Sequence, residues 1–147
     1  MLLTDRQLLE EALALVQQSY KEGGIPIGSV LVDEGRVIGR GYNRRIQDRD
    51  PIAHGEMDCI RSAGRRKTYR NTSLYTTLSP CMMCTGTIIQ FGIPRLVIGD
   101  IRNFGGNEEL LRAHRVEVII DDHEGCYELM RKFIVENPQE WLEDIGK

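Results

Sequence analysis

No apolar run in this chain of 147 residues approaches the ~20 residues that a membrane-spanning helix requires, so a helical membrane protein is excluded. The opening Met1-Leu2-Leu3-Thr4-Asp5 lacks the basic segment and apolar stretch of a secretion signal, and the expected location is the cytoplasm. Basic surplus is missing too: 19 Lys and Arg face 22 Asp and Glu, for a formal charge of −3. A general nucleic-acid binder needs a basic face to neutralise phosphates, so no nucleic-acid partner is expected. Arg61, Arg65, Arg66, Lys67 and Arg70 cluster locally and read as a solvated loop. The four cysteines are too few for a disulfide scaffold in a chain long enough to bury its own core. Repeats, low-complexity tracts and linkers are absent as well. Residues 1–147 are expected to form one domain.

What is present reads as alternating elements. Thr4 and Gln7 fit a capping box, and Leu8, Ala12, Val16 and Tyr20 recur at the helical period, predicting a helix from about Asp5 to Glu22. Gly23-Gly24 ends it. Ile27–Val32 and Val37–Tyr42 are β-favouring runs around Asp33-Glu34-Gly35-Arg36, hence a hairpin. Residues 44–50 are polar and arrhythmic and predict a loop. Asp50 as N-cap with Pro51 at the first helical position predicts a helix that Gly64 closes. A strand over 73–78 follows, and Ser79-Pro80 repeats the helix-start signal, with Gly92 and Pro94 as the stop. A strand at 95–99, a short helix at 107–113, a strand at 116–120, a helix at 123–136 and a last short segment around Trp141–Asp144 complete the chain. Helix-bearing crossovers between the last three strands make them mutually parallel. The prediction is an α/β fold, a three-layer α/β/α sandwich around a five-stranded mixed sheet.

The chemistry concentrates in His54-Gly55-Glu56 and Pro80-Cys81-Met82-Met83-Cys84. Cys81 and Cys84, at i and i+3 near a predicted helix start, share a face where exposed N–H groups favour thiolates. With His54 they can hold one Zn²⁺ through three protein ligands, leaving a fourth position for water. Glu56 is offset by two from His54 and can serve as general acid/base beside the metal. The order His-x-Glu then Pro-Cys-x-x-Cys is the signature of zinc-dependent base deaminases, whose glutamate moves protons and is not a ligand. A closed structural site would need a fourth donor, such as His114 or Cys126. Cys59 and Cys126 themselves sit in apolar-periodic segments and read as small core residues.

Beyond these motifs the chain resembles the cytidine-deaminase-like superfamily, and within it the fungal cytosine deaminases that act on the free base. The resemblance runs through Tyr20-Lys21-Glu22-Gly23-Gly24, Asn43, Leu74–Cys81, Cys84-Thr85-Gly86, Phe91–Arg95 and Asn103-Phe104 to Trp141 and Glu143-Asp144-Ile145-Gly146. It implies one zinc on His54, Cys81 and Cys84, Glu56 as proton shuttle, and cytosine converted to uracil and ammonia in pyrimidine salvage. It also implies substrate contacts from Asn43, the Gly55 N–H, the Ser79 carbonyl and Asp144, walls from Phe104 and Trp141, and a homodimer. Met57-Asp58-Cys59, Met82 and Pro51-Ile52-Ala53 depart from the fungal pattern, the first and last of these being expected near the mouth of the site.

Other deaminase substrates share the zinc motif: isocytosine, guanine, or the adenosine of a tRNA, which would call for a basic face. A zinc-stabilised binding module would unfold on chelation and release no ammonia.

Overall fold

The computed structural model describes residues 2–147. Helix α1 (Asp5–Lys21) starts on a reciprocal cap: Thr4 Oγ1 accepts from the Gln7 N–H at 3.1 Å, and Gln7 Oε1 accepts from the Thr4 N–H at 2.9 Å. Its buried stripe is Leu8, Leu9, Ala12 and Val16. Strands β1 (Gly28–Asp33) and β2 (Arg36–Tyr42) pair antiparallel around Glu34-Gly35, both at positive φ, the geometry that matches strand twist in a two-residue turn. There follow α2 (Arg45–Asp48), α3 (Gly55–Ala63), β3 (Thr72–Thr76), α4 (Met82–Phe91), β4 (Arg95–Ile98), α5 (Glu108–Ala113), β5 (Glu117–Ile120), α6 (Glu124–Glu136) and α7 (Pro138–Asp144).

The sheet runs β2-β1-β3-β4-β5, with β1 antiparallel to both neighbours and β3, β4 and β5 parallel. Side-chain alternation sorts its two faces. Leu31, Leu74, Leu96 and Ile98 meet Cys59 and Ile60 of α3, Ile88 of α4 and Leu111 of α5. Val30, Val32, Tyr75 and Val97 meet Leu8, Leu9 and Ala12 of α1 and Cys126 of α6. These are the expected three layers around a five-stranded mixed sheet. No helix among the described residues is long and apolar enough to cross a membrane.

Three expectations need correction. Residues 44–50 are not all loop: Arg45–Asp48 make a helical turn, closed by Arg49 at φ 54°, and with only Ile46 packing inward so short an element leaves no apolar rhythm to read. The Asp50-Pro51 start signal does not open a helix. Asp50 Oδ1 instead accepts from the Ile52 N–H at 3.0 Å, and α3 begins at Gly55 with His54 as its N-cap. Likewise Ser79-Pro80 precede the start of α4, whose N-cap is Cys81; the Ser79 hydroxyl is donated to Glu108.

Helix α3 lies so close on β2 that a Cβ on Gly41 would stand 2.2 Å from the Cys59 nitrogen and 2.6 Å from the Asp58 carbonyl carbon. Backbone cannot rotate away as a side chain can. Gly41→Ala is therefore expected to lower stability by about 1–3 kcal/mol, read as a lower urea midpoint with an unchanged slope.

Candidate zinc centre and active site

The three proposed ligands come together because two helices begin at one place. His54 (φ −73°, ψ 158°) and Cys81 (φ −69°, ψ 176°) are extended N-caps of α3 and α4, and neither side chain caps its own helix. Both side chains turn into a shared cluster with Cys84 from the first turn of α4. One donor atom from each of His54, Cys81 and Cys84 lies within 4.8 Å of the others; His54 Nδ1 is 3.4 Å from Cys81 Sγ and 3.8 Å from Cys84 Sγ. An imidazole and two thiols at this separation fit a single Zn²⁺ in tetrahedral coordination with one position left over. Among the described residues no fourth donor joins the group. His114 is exposed at the end of α5, and Cys126 is buried in the α1–α6 layer with its thiol pushed up to about 12, chiefly by burial. The closed structural site is thus not built. Cys59 and Cys126 are core residues, as expected.

The electrostatics suit a cation. A hydrogen bond from Cys84 pulls the Cys81 thiol down to about 4 against its burial, with His54 helping. Cys84 is pushed well above the ordinary thiol range by that same pairing and by burial. Burial pulls His54 down, but Cys81, Asp144 and Glu56 outweigh it and hold the imidazole at about 9. The cluster thus shares protons that a metal must displace. Glu56, in the first turn of α3 and 3% exposed, is pushed up to about 7 by burial first and the Cys81 thiolate second, while His54 opposes.

Around this centre the chain builds a small, tight cavity lined by Ile27, His54, Glu56, Leu78, Ser79, Cys81, Phe104, Trp141, Asp144 and Ile145. It sits past the C-terminal ends of β3 and β4, where ligands of open α/β sheets bind. Phe104 and Trp141 meet edge to face, with centroids 5.9 Å apart. Asp144, the last residue of α7, brings Oδ1 to 3.3 Å from His54 Nε2; burial raises its pKa, against His54 and Asn43. Asn43 is fully buried. Its Oδ1 accepts from the Arg45 N–H at 2.9 Å, whereas Nδ2 makes no hydrogen bond among the described residues; Asp144 Oδ1 makes none of good geometry either, having His54 and Arg45 beside it as charged neighbours only. Gly55 is buried where a Cβ would stand 2.9 Å from the Ile27 carbonyl oxygen.

An outer cleft continues from the cavity past Pro51, Met82, Met83 and Gly105–Asn107. Of the positions that depart from the fungal pattern, Pro51 and Met82 therefore border the mouth. Asp58 and Cys59 do not: Asp58 accepts from the Tyr42 N–H at 3.1 Å, and Cys59 is core.

Two residues that sequence reasoning passed over also belong here. Arg45 Nη1 donates to the Pro51 carbonyl at 2.9 Å, and its guanidinium lies 3.7 Å from Glu143 and 4.0 Å from Asp144. Glu108 accepts from the Ser79 hydroxyl. Neither belongs to a spacing pattern; the Asp144 beside Arg45 and the Ser79 bound by Glu108 are distant in sequence.

Residues 3–100 match the cytidine and deoxycytidylate deaminase zinc-binding region. The chain is 49% identical over 146 residues to a cytosine deaminase of Candida albicans, covering 97% of each. It is 45% identical over 98 residues to a tRNA-specific adenosine deaminase of Buchnera aphidicola, 65% of each. The solved guanine deaminase of Nitrosomonas europaea matches with a TM-score of 0.78 at 21% identity, covering 92% of this chain and 86% of that one, a likeness of fold. With the His54–Cys81–Cys84 cluster at its centre, the chain belongs to the zinc-binding cytidine and deoxycytidylate deaminase family and is a zinc-dependent hydrolytic deaminase of a substrate bearing a nucleobase.

Proposed function

We propose that the substrate is a free base, cytosine, hydrolysed to uracil and ammonia. The observation that carries this reading is the buried Asp144 carboxylate, whose Oδ1 makes no hydrogen bond, lining a small cavity with Phe104 and Trp141, together with the unpartnered Asn43 Nδ2 buried next to Asp144. Leaving such groups unmatched costs about 1–3 kcal/mol each, and a flat ring carrying both an acceptor and an amine would satisfy them. The 97% coverage of the fungal cytosine deaminase supports the same substrate.

In this mechanism His54, Cys81 and Cys84 hold zinc, which when bound supplies the Lewis acidity that makes water a nucleophile at neutral pH. Glu56 takes a proton from the attacking water and delivers it to ring N3, then takes the second proton from the hydroxyl now on C4 and gives it to the departing amine, leaving the C4 carbonyl of uracil. Asp144 and the Ser79 carbonyl accept from that amine, Asn43 and the Gly55 N–H hold the opposite edge, and Phe104 and Trp141 fix the ring plane. Water adds at C4 and ammonia leaves from it, so the reaction needs no other reactant. We further propose that the chain works as a homodimer in the cytoplasm.

A second reading, the adenosine of a tRNA, is favoured by the 45% identity to the Buchnera enzyme. Ammonia release from zinc-loaded protein distinguishes the readings across cytosine, isocytosine, cytidine, adenine, guanine and tRNA. Cytosine is expected to exceed every other substrate by at least about 100-fold in kcat/KM. Release confined to guanine or to tRNA would overturn the cytosine assignment and keep the deaminase.

A further inference from the structure

We infer that Glu108 is a positioning residue that tethers the Phe104 loop to Ser79 and so closes the wall of the base cavity, an inference that rests on the substrate reading above. The loop joins β4 to α5 and is anchored at both ends on the segment just ahead of Cys81. At its start, the Asp100 carbonyl accepts from the Ser79 N–H at 2.9 Å. The buried Asp100 carboxylate accepts from the Arg102 N–H at 2.7 Å and from Asn103 Nδ2 at 2.7 Å. At its end, Asn107 Nδ2 donates to the Pro80 carbonyl at 2.9 Å. The Glu108 carboxylate accepts from the Ser79 hydroxyl and also from the Gly106 N–H, at 3.0 and 3.2 Å. Between the anchors the backbone turns at Gly106, φ +127°, a conformation that side chains disfavour. Phe104 rides on this stretch and packs edge to face on Trp141, and both line the cavity. One carboxylate therefore ties together the turn that aims Phe104 and the residue whose carbonyl faces the substrate amine.

Removing the tether should let Phe104 swing without touching the zinc ligands or Glu56. The loss then falls on KM, because Phe104 holds the ring and takes no part in proton transfer. Trp141 is the only tryptophan of the chain and is 7% exposed, so its fluorescence reports the state of the wall whether or not any base is turned over.

The test is acrylamide quenching of Trp141 in the zinc-loaded protein, together with steady-state kinetics on cytosine. Glu108→Ala is expected to raise the quenching constant severalfold and KM about tenfold, in line with losing a charge-assisted hydrogen bond, with kcat held within about twofold. Glu108→Gln keeps one acceptor oxygen and should restore most of both. Ser79→Ala, which removes only the hydroxyl, should reproduce the Glu108→Ala effect, and the double variant should be no worse than either single one. Unchanged quenching in Glu108→Ala, or Ser79 and Glu108 effects that multiply, would overturn the tether. Should Glu108→Ala fail to fold, Ser79→Ala and Glu108→Gln carry the same comparison. If the unmodified protein deaminates no base, the substrate reading fails, while quenching still decides the tether.

Discussion

Glu56→Gln is expected to keep one zinc per chain and to lower ammonia release by about 10²–10⁴-fold. The substitution conserves volume in a site where Glu56 is 3% exposed, so packing is not disturbed. It removes the carboxylate proposed to collect a proton from water and return it to the base. Glu56 lies outside the three-donor cluster, which is why zinc content should survive. Within the protein's own groups its carboxyl is held up to about 7 by burial, high enough to give the proton back to a nitrogen. Activity should therefore fall on the acid side as Glu56 becomes protonated before substrate arrives, and the variant should lose that limb of the pH–rate profile. Substantial turnover in Glu56→Gln with the acid limb intact would assign the proton transfers elsewhere.

Cys84→Ala is expected to weaken zinc binding by more than 100-fold, since even partners behind a ligand cost 10–100-fold, and to abolish turnover at stoichiometric zinc. The chain should nevertheless stay folded. Cys84 is wholly buried in the first turn of α4, but the core beneath it is built by Leu31, Cys59, Leu74, Ile88 and Leu96, and a chain of this size does not need a metal as a staple. Circular dichroism and metal analysis on the same sample check both halves. Loss of structure together with loss of zinc would mean that the metal holds the fold up, as in a zinc-stabilised binding module. Because protons must leave His54 and Cys84 for zinc to bind, affinity in the unmodified protein should rise with pH.

Much of the fold was legible because the relevant forces are local or periodic. The Thr4–Gln7 cap, the Glu34-Gly35 turn and the alternation in Leu74-Tyr75 and Leu96-Val97 depend on near neighbours or on one buried face. The zinc ligands were legible because type and spacing suffice for metal binding. Helix starts were less so: Asp50 and Ser79 carry the usual capping chemistry, yet their side chains are taken by Ile52 and Glu108. The caps are His54 and Cys81, which turn their donors toward the metal site instead. Arg45 and Glu108 had no signal at all, because what makes them matter is their contact with Asp144 and Ser79, set by how α7 and the Phe104 loop return to the site.

The central claim, that the His54–Cys81–Cys84 centre with Glu56 hydrolyses a base, is tested most directly by a zinc titration. Protein stripped of metal is reloaded in steps while ammonia release from cytosine is followed. No release is expected without zinc, and a linear rise that levels off at one zinc per chain is expected on reloading. Turnover that does not depend on zinc, or full loading with no ammonia from any base, nucleoside or tRNA, would contradict the claim.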